Sequence, residues 1–472
     1  MTSPPKPPNY RPLETRRSAN FHTSRDGTSR ADLIRATRSG VLAATTPEEL
    51  EGLLGDLARE AAAVRQAHMG LLSRAEANQP RSALALPRAL VIDDRLPAPD
   101  RDAGSNAVLS HVRALQRLGY QVEFIGSQDL IATGAPATAL LALGVIVHGN
   151  PAICSVEEAL QRAGGGYELI YLHRLSNVEA YASLARRHHP KARIVFSVAD
   201  LQSLRDGRRG IVEQRSDLLT ESHRLRQREL LAIRLVDAVI THSTHEAQVL
   251  AQAVPWAEVH VVAWDIPVTG CRRSFAQRSG VAFVGGYDHA PNLHAANWLV
   301  GTIMPLVWQR DPSIRCLLAG SAMPQGLMNW ANRDSRIEVV GHVPKLSDVF
   351  DQVRLTVAPL GYGAGIKGKV LDSFAAGLPC VMSPIAAEGI QLPPMLRELV
   401  GQTAEEIADL ICRMHADEPA NRAAARAGRA LMRKHFTPTG IVHDLQAALT
   451  KRVAPRQTNT MVTSLHHAMK VA

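Results

Sequence analysis

The stretch Pro359–Val381, PLGYGAGIKGKVLDSFAAGLPCV, decides how the chain is read. It places Gly361, Gly363, Gly365 and Gly368 beside Lys367 and Lys369, between the apolar run LTVAPL and the periodic run KVLDSFAAG. LTVAPL has the composition of a buried strand, and KVLDSFAAG predicts a helix closed at Gly377 by a left-handed cap. A strand that hands a glycine-rich turn to a helix start belongs to a parallel α/β sheet. The glycines let backbone approach a ligand closely, and the N–H groups of a first helical turn favour an anion. Lys367 in that turn opposes the helix dipole unless a bound anion offsets it, which marks the loop for phosphate. Asp372 follows Gly365 by seven residues, on nearly the same helix face and about 10 Å further along. A diphosphate at the helix start would bring a nucleotide ribose to its carboxylate. The spacing matches neither GxxxxGK[ST] nor GxGxxG, and a tight turn before a core helix is the competing reading.

Short β-rich runs alternate with helical patterns on both sides of this stretch. RALVIDD at 88–94, QVEFIG, VIVHG, YELIYLHR, ARIVFSVAD, DAVITHS and VHVVAW form a first series. GVAFVGG at 280–286, RCLLAG, RIEVVGHV, LTVAPL and PCVMSP form a second, after glycine and charge cluster at 265–280. The fold class expected is therefore α/β, with two doubly wound, Rossmann-like domains in tandem. The expected boundaries are a disordered basic tail at 1–40, a helical extension at 41–85 and a first domain at 86–268. A second domain with closing helices follows at 269–450, then a basic tail at 451–472. The extension opens on Thr46, Pro47 and Glu49 as a capping-box start and is read as a structural or oligomerising helix.

The 472 residues, 46% hydrophobic and 21% charged, suffice for two packed domains plus extensions. No apolar run approaches the ~18 to 20 residues of a membrane span, and the start MTSPPKPPNYRPLETRR lacks the apolar core of a secretory signal. A cytoplasmic protein is expected. Cys154, Cys271, Cys316, Cys380 and Cys412 are scattered and never paired as CxxC, so neither a disulfide framework nor a zinc site is indicated. The formal charge of +9 sits at the ends: residues 1–40 carry eight basic against three acidic side chains, and 451–472 four against none. The body between is neutral, and with 4% aromatic residues it makes a poor nucleic-acid groove. The ends are read as solvated tails, with docking on an anionic membrane leaflet as the alternative.

FVGGYDHAPNLHAANWLV, CLLAGS, VVGHVPKLSDVF, VAPLGYGAGIKGKVLDSFAAGLPCVMSP and AAEGI follow one another in an order and spacing that resembles the C-terminal domain of group 1 glycosyltransferases of the GT-B fold. The likeness is strong over about 280–390, and LVIDDRLPAPDRDAGSNAVLSHVRALQRLGYQVEFI resembles the N-terminal domain of bacterial members. The resemblance implies a retaining transferase that takes a sugar from a nucleotide-diphosphate donor to a glycan or lipid-linked acceptor of the cell envelope. No cofactor or metal is implied beyond the donor as co-substrate. It also implies donor contacts from Gly285, Gly286, His289 and Asn292, a base against Val343 and Pro344, and a diphosphate on Gly365, Ile366 and Lys367. Asp372 stands where the family has the ribose-binding glutamate of an E-x7-E pair, and Ala364 replaces the first acid. A degenerate sugar-nucleotide-binding scaffold and a GT-B-like sugar-nucleotide epimerase are the rival functions.

In the first domain Gly104 and Ser105 precede the helix NAVLSHVRALQRLG, whose Val108, Val112, Leu115 and Leu118 form the apolar stripe. Ser105 suits either a helix cap or a loop that meets a phosphate or acceptor. His173 and Asp200 end strand candidates, where doubly wound sheets bind ligands, though either also suits a packed polar residue. His242, His245 and Glu246 suggest a metal, but Ser243 and Glu246 read more simply as a capping box. His188 and His189 are expected in solvent. Glu388 in AAEGI is a catalytic-cleft candidate through the resemblance, or a residue that fixes its own loop. Lys367, His173, Asp200 and Glu388 are the expected catalytic set.

Overall fold

The computed structural model describes residues 86–98 and 103–450; the expected tails at 1–40 and 451–472 and the helical extension at 41–85 lie outside the described residues. Among the described residues no helix is long and apolar enough to cross a membrane.

Every strand candidate forms a strand. The first lobe holds β1 (Arg88–Asp93), β2 (Gln121–Gly126), β3 (Ile146–His148), β4 (Leu169–His173), β5 (Arg193–Val198), β6 (Ala238–Thr241) and β7 (Val259–Val261). They make one sheet in the order β3-β2-β1-β4-β5-β6-β7, with all pairs parallel. The second lobe holds β8 (Val281–Val284), β9 (Cys316–Ala319), β10 (Ile337–Gly341), β11 (Leu355–Ala358) and β12 (Cys380–Met382), in the parallel order β10-β9-β8-β11-β12. β4 and β5 are buried at every position, as parallel strands covered on both faces must be. The architecture is the two-lobed α/β GT-B fold.

Both sheets reverse strand order beside their first strand, between β1 and β4 and between β8 and β11. Crevices open at the carboxyl ends of strands flanking such a reversal, so the two switch points mark the ligand-binding edge of each lobe. The chain crossing after β7 is tied to a helix of the first lobe and to the end of a helix of the second. The amide of Asp265 donates to Ser110 Oγ at 2.9 Å, and that of Ile266 to the carbonyl of Phe436 at 3.2 Å. Helix Pro438–Leu449, grouped by sequence with the second domain, packs instead on the first: Ile441, Leu445 and Ala448 join a core with Val91, Val112 and Ile240.

His189 is not in solvent. Its ring lies 4.9 Å from that of Tyr167, and Nε2 bonds the carbonyl of Leu160 at 2.9 Å, because the helix Leu175–His188 turns inward at its end. The five cysteines are free thiols.

Candidate functional site

The loop after β11 is shaped by one left-handed residue. Gly365 has φ 65°, and a side chain there would place Cβ 3.2 Å from Cβ of Asp200 in the first lobe. Helix Gly368–Ala375 follows, with Lys367 at its N-cap. Val370, Leu371 and Phe374 are fully buried on one face, and Phe374 lies under Gly428 of helix Glu418–His435. Gly377, φ 73°, is the expected left-handed cap. This anchoring fixes the helix start, where the backbone amides of Ile366, Lys367, Gly368 and Lys369 find no acceptor among the described residues. Four adjacent donors without acceptors form a ready anion site.

Lys367 is 6% exposed, and its ammonium donates to the carbonyl of Gly365 at 2.6 Å. Burial pulls its pKa down to about 8 against the opposing pull of Glu388 and Glu246. Those two carboxylates come from opposite lobes, so the ammonium lies between the lobes.

The turn after β8 forms the adjoining wall. A Cβ on Gly285 would stand 2.9 Å from both the Asn292 side chain and Lys369 Nζ. Asn292 donates to the carbonyl of Gly286 at 2.8 Å and accepts from Lys369 at 2.6 Å. Lys369 also lies 4.2 Å from the centre of the Phe283 ring, and burial draws its pKa down to about 7. The side chain of Asp372, one helical turn on, makes no hydrogen bond or ion pair among the described residues, and burial pushes its carboxyl up to about 7. A half-buried acceptor without a donor suits hydroxyls brought by a ligand. Burial also lowers the pKa of His289, with Arg205 acting in the same direction and Asp200 against it. Val343 is half-buried against the apolar cluster of Leu317, Ala319 and Val349, and Pro344 is exposed.

Glu388 is held from the other lobe. Arg208, in helix Gln202–Val212, donates to both its oxygens at 2.6 and 2.7 Å and to the carbonyl of Gly363 at 2.8 Å. His245 Nε2 is 3.0 Å from the same carboxylate. Burial works against ionisation of Glu388, but Arg208, Lys367 and His245 together hold it below the usual carboxylate range. Glu388 thus ties its loop to the first lobe. Tyr362 donates to Glu213 at 2.9 Å, a third tie from the loop to the first lobe.

The capping-box reading of Ser243 and Glu246 holds by half. Ser243 accepts the amide of Glu246 at 3.4 Å, but the carboxylate does not return to Ser243. It is 1% exposed and accepts from the amide of Leu201 at 2.8 Å, Thr241 Oγ1 at 2.6 Å and, across the cleft, the amide of Gly365 at 2.8 Å. Burial pushes it up to about 7 despite these donors.

At the first-lobe strand ends, Asp200 pairs with Arg205, and Arg174 donates to Asp93 at 2.8 Å. Asp200, Arg205 and Arg174, with Gln202 and Glu229, line a pocket of about 240 Å³. His173 has no exposed surface in this closed arrangement, and its Nδ1 is 3.1 Å from Ser197 Oγ. The structure brings Asp200 against Gly365 of the second lobe but buries His173 completely. Ser105 is buried within the first turn of helix Ala103–Arg117, as described from Ala103, so it is not that helix's cap; Gly104 precedes it there. A Cβ on Gly368 would be 3.0 Å from that of Ala103, so the two helix starts meet. Sequence reasoning missed Arg208, Glu246 as a cross-lobe acceptor, and Lys369 as the support of Asn292. Only the Ser-x-x-Glu spacing carried a signal, and it pointed to a local role.

Residues 278–417 match the family model of glycosyl transferases group 1. No curated protein matches the chain. Solved structures share the fold. HepE (Alr3699) of Anabaena, in complex with UDP-glucose, is 16% identical with a TM-score of 0.58 over 77% of this chain and 99% of its own. A UDP-forming α,α-trehalose-phosphate synthase from Burkholderia xenovorans is 12% identical with a TM-score of 0.55 over 77% and 99%.

Proposed function

We propose that the protein is a retaining glycosyltransferase that moves a sugar from a nucleoside-diphosphate donor to a glycan or lipid-linked acceptor in cell-envelope polysaccharide synthesis. The carrying observation is the helix start at 366–369, with four amides lacking acceptors and the Lys367 ammonium beside them between the lobes. The group 1 match over this segment and a structural relative solved with UDP-glucose support the same reading. The diphosphate lies on these donors, the ribose reaches Asp372, and the base lies toward Val343 and Pro344. Gly285, Gly286, His289 and Asn292 border the sugar.

In the reaction the anomeric C–O bond breaks and its electron pair stays on the departing diphosphate. The loop amides and Lys367 stabilise that charge, an effect of about 3 to 4 kcal/mol for one well-placed donor. An acceptor hydroxyl forms the new bond on the face the diphosphate leaves, and its proton passes to the departing oxygen. The acceptor enters from the first-lobe pocket at Arg174, Asp200 and Arg205. Work in the cytoplasm at the inner membrane face, through the basic ends, completes the proposal.

A thermal-shift screen of uridine, guanosine and adenosine diphosphate sugars tests donor binding, since a ligand of the folded state raises the melting temperature. Product analysis with the stabilising donor, labelled in the sugar, follows. Transfer to an acceptor disposes of the degenerate scaffold that Ala364 suggests, and a new sugar nucleotide formed without acceptor would instead identify an epimerase. Flotation with anionic liposomes, comparing full-length and end-trimmed protein, tests the membrane contact; equal flotation rejects it.

A further inference from the structure

We propose that Glu246 is a positioning residue: from the first lobe it sets the turn of the diphosphate loop, so that the loop takes its binding shape only when the cleft is closed. The inference rests on the proposed reading of that loop as a diphosphate site.

Glu246 sits at the start of helix Thr244–Ala253, and two of its three donors belong to its own lobe: the amide of Leu201 and the hydroxyl of Thr241. These fix the carboxylate before the second lobe arrives. The third donor is the amide of Gly365, the left-handed residue on which the loop turns. The two peptide units that flank its Cα are both tied. The N–H is held by Glu246, and the carbonyl of the same residue receives the Lys367 ammonium at 2.6 Å. With the planes on both sides tied, Gly365 is held at φ 65°, and that turn sets the direction of Lys367 and of the amides after it. Asp200 bears on the same glycine from the first lobe, which leaves little room for another turn. With the lobes apart, the amide loses its acceptor and a glycine has many other conformations to adopt.

Glu246→Gln keeps an acceptor oxygen for the two amides and offers its NH₂ to Thr241, whereas Glu246→Ala removes the acceptor. Two measurements on the full chain separate positioning from simple anchoring. The first is hydrogen exchange of the Gly365 amide without ligand: the Ala variant should exchange at least tenfold faster than wild type, and the Gln variant within threefold. The second is calorimetric affinity for whichever of UDP, GDP or ADP binds wild type best. The Ala variant should lose at least tenfold and the Gln variant less than threefold. A merely structural anchor would lower the melting temperature of Glu246→Ala and leave its dissociation constant unchanged, which would overturn the proposal. Unchanged exchange at Gly365 in the Ala variant would overturn it too. Should Glu246→Ala fail to fold, Thr241→Val gives the same readout through the loosened carboxylate: faster exchange at Gly365 supports the role, and wild-type exchange rejects it. If no diphosphate binds wild type, the glycosyltransferase reading fails, while the exchange result still decides the role of Glu246.

Discussion

The two lobes build their halves of the cleft from different materials. The second lobe uses mainly backbone: a glycine turn, four amides at a helix start with one ammonium, that of Lys367, beside them, and a glycine after β8 kept bare by Asn292 and Lys369. The first lobe uses side chains: Asp200 after β5, Arg208 on the next helix and Glu246 after β6, each of which reaches a loop of the other lobe. A backbone site is written in one short stretch, because its residues act through local conformation. A side-chain site is assembled from distant segments. The first should govern the chemistry, and the second should govern whether the cleft is shut in working order.

The strongest way to break that division is Lys367→Ala. If the ammonium stabilises the leaving diphosphate, steady-state turnover with the donor found by screening should fall by about 10² to 10³. The melting temperature should hold or rise, since a desolvated ammonium is costly to the fold. Near-normal turnover would remove Lys367 from the chemistry and leave the amides alone.

Arg208→Ala attacks the first-lobe half. It strips a bidentate partner from Glu388 and a donor from the Gly363 carbonyl. Losing a hydrogen bond to a charged group costs about 1.5 to 3 kcal/mol, so kcat/KM should fall by roughly 10- to 100-fold. Arg208→Lys should not restore it, because a point charge cannot span both oxygens and the carbonyl. Wild-type kinetics in the Ala variant would mean that the pairing is idle and that closure is driven elsewhere.

The same contrast explains what could be read in advance. The twelve strands were legible because the central ones, buried on both faces, are continuous apolar runs between turns and the half-exposed edge strands β3, β7 and β10 keep short β-branched runs, and the Gly365–Asp372 helix start was legible because glycine, lysine and helix periodicity coincide there. Arg208 was not legible. It stands in an arginine-rich helix, LRDGRRG, where nothing local separates it from solvated neighbours, and its partner Glu388 lies 180 residues away. Glu246 was misread because Ser-x-x-Glu has a complete local explanation, and only the fold shows that its carboxylate turns to Gly365 instead. His173 ends a strand at the ligand-binding edge, which suits a site residue or a packed polar one, and only the fold shows that it is fully covered. The crossing of helix Pro438–Leu449 to the first lobe is equally invisible, since an amphipathic helix does not name the sheet it covers.

A smaller effect sharpens the comparison at the point where both halves touch. Gly365→Ala keeps every side chain but forces an L-residue to φ 65° and sets its Cβ 3.2 Å from that of Asp200. The left-handed conformation alone costs roughly 1 to 2 kcal/mol. The melting temperature should drop by a few degrees, and small-angle scattering should show a larger radius of gyration as the strain is relieved by opening. A variant as compact and as stable as wild type would mean that the loop has slack and that the first lobe does not grip it.

The least of the expected effects is one of pH, and its sign separates the halves again. Burial raises Asp372 from 3.8 to about 7, so the folded chain keeps a proton there between roughly pH 4 and 7 that the unfolded chain has lost. That contribution to stability is present at the acid end and disappears as pH rises through 7. Glu246, also raised to about 7, runs in the same direction from the first lobe. Burial lowers Lys369 from 10.5 to about 7 and Lys367 to about 8, so above neutrality the unfolded chain binds the extra protons and stability climbs again. These groups by themselves pull stability to a minimum near neutral pH, while His111 and His415, drawn down by burial to about 3 and 4, make stability rise with pH on the acid side, so it is the difference between variant and wild type in urea-melt stability that isolates one group. Asp372→Asn should flatten part of the acid-side decline and leave the alkaline climb intact. An unaltered acid limb would show that the carboxylate is hydrated and ionised in the folded cleft, and the remaining slope would then belong to Glu246.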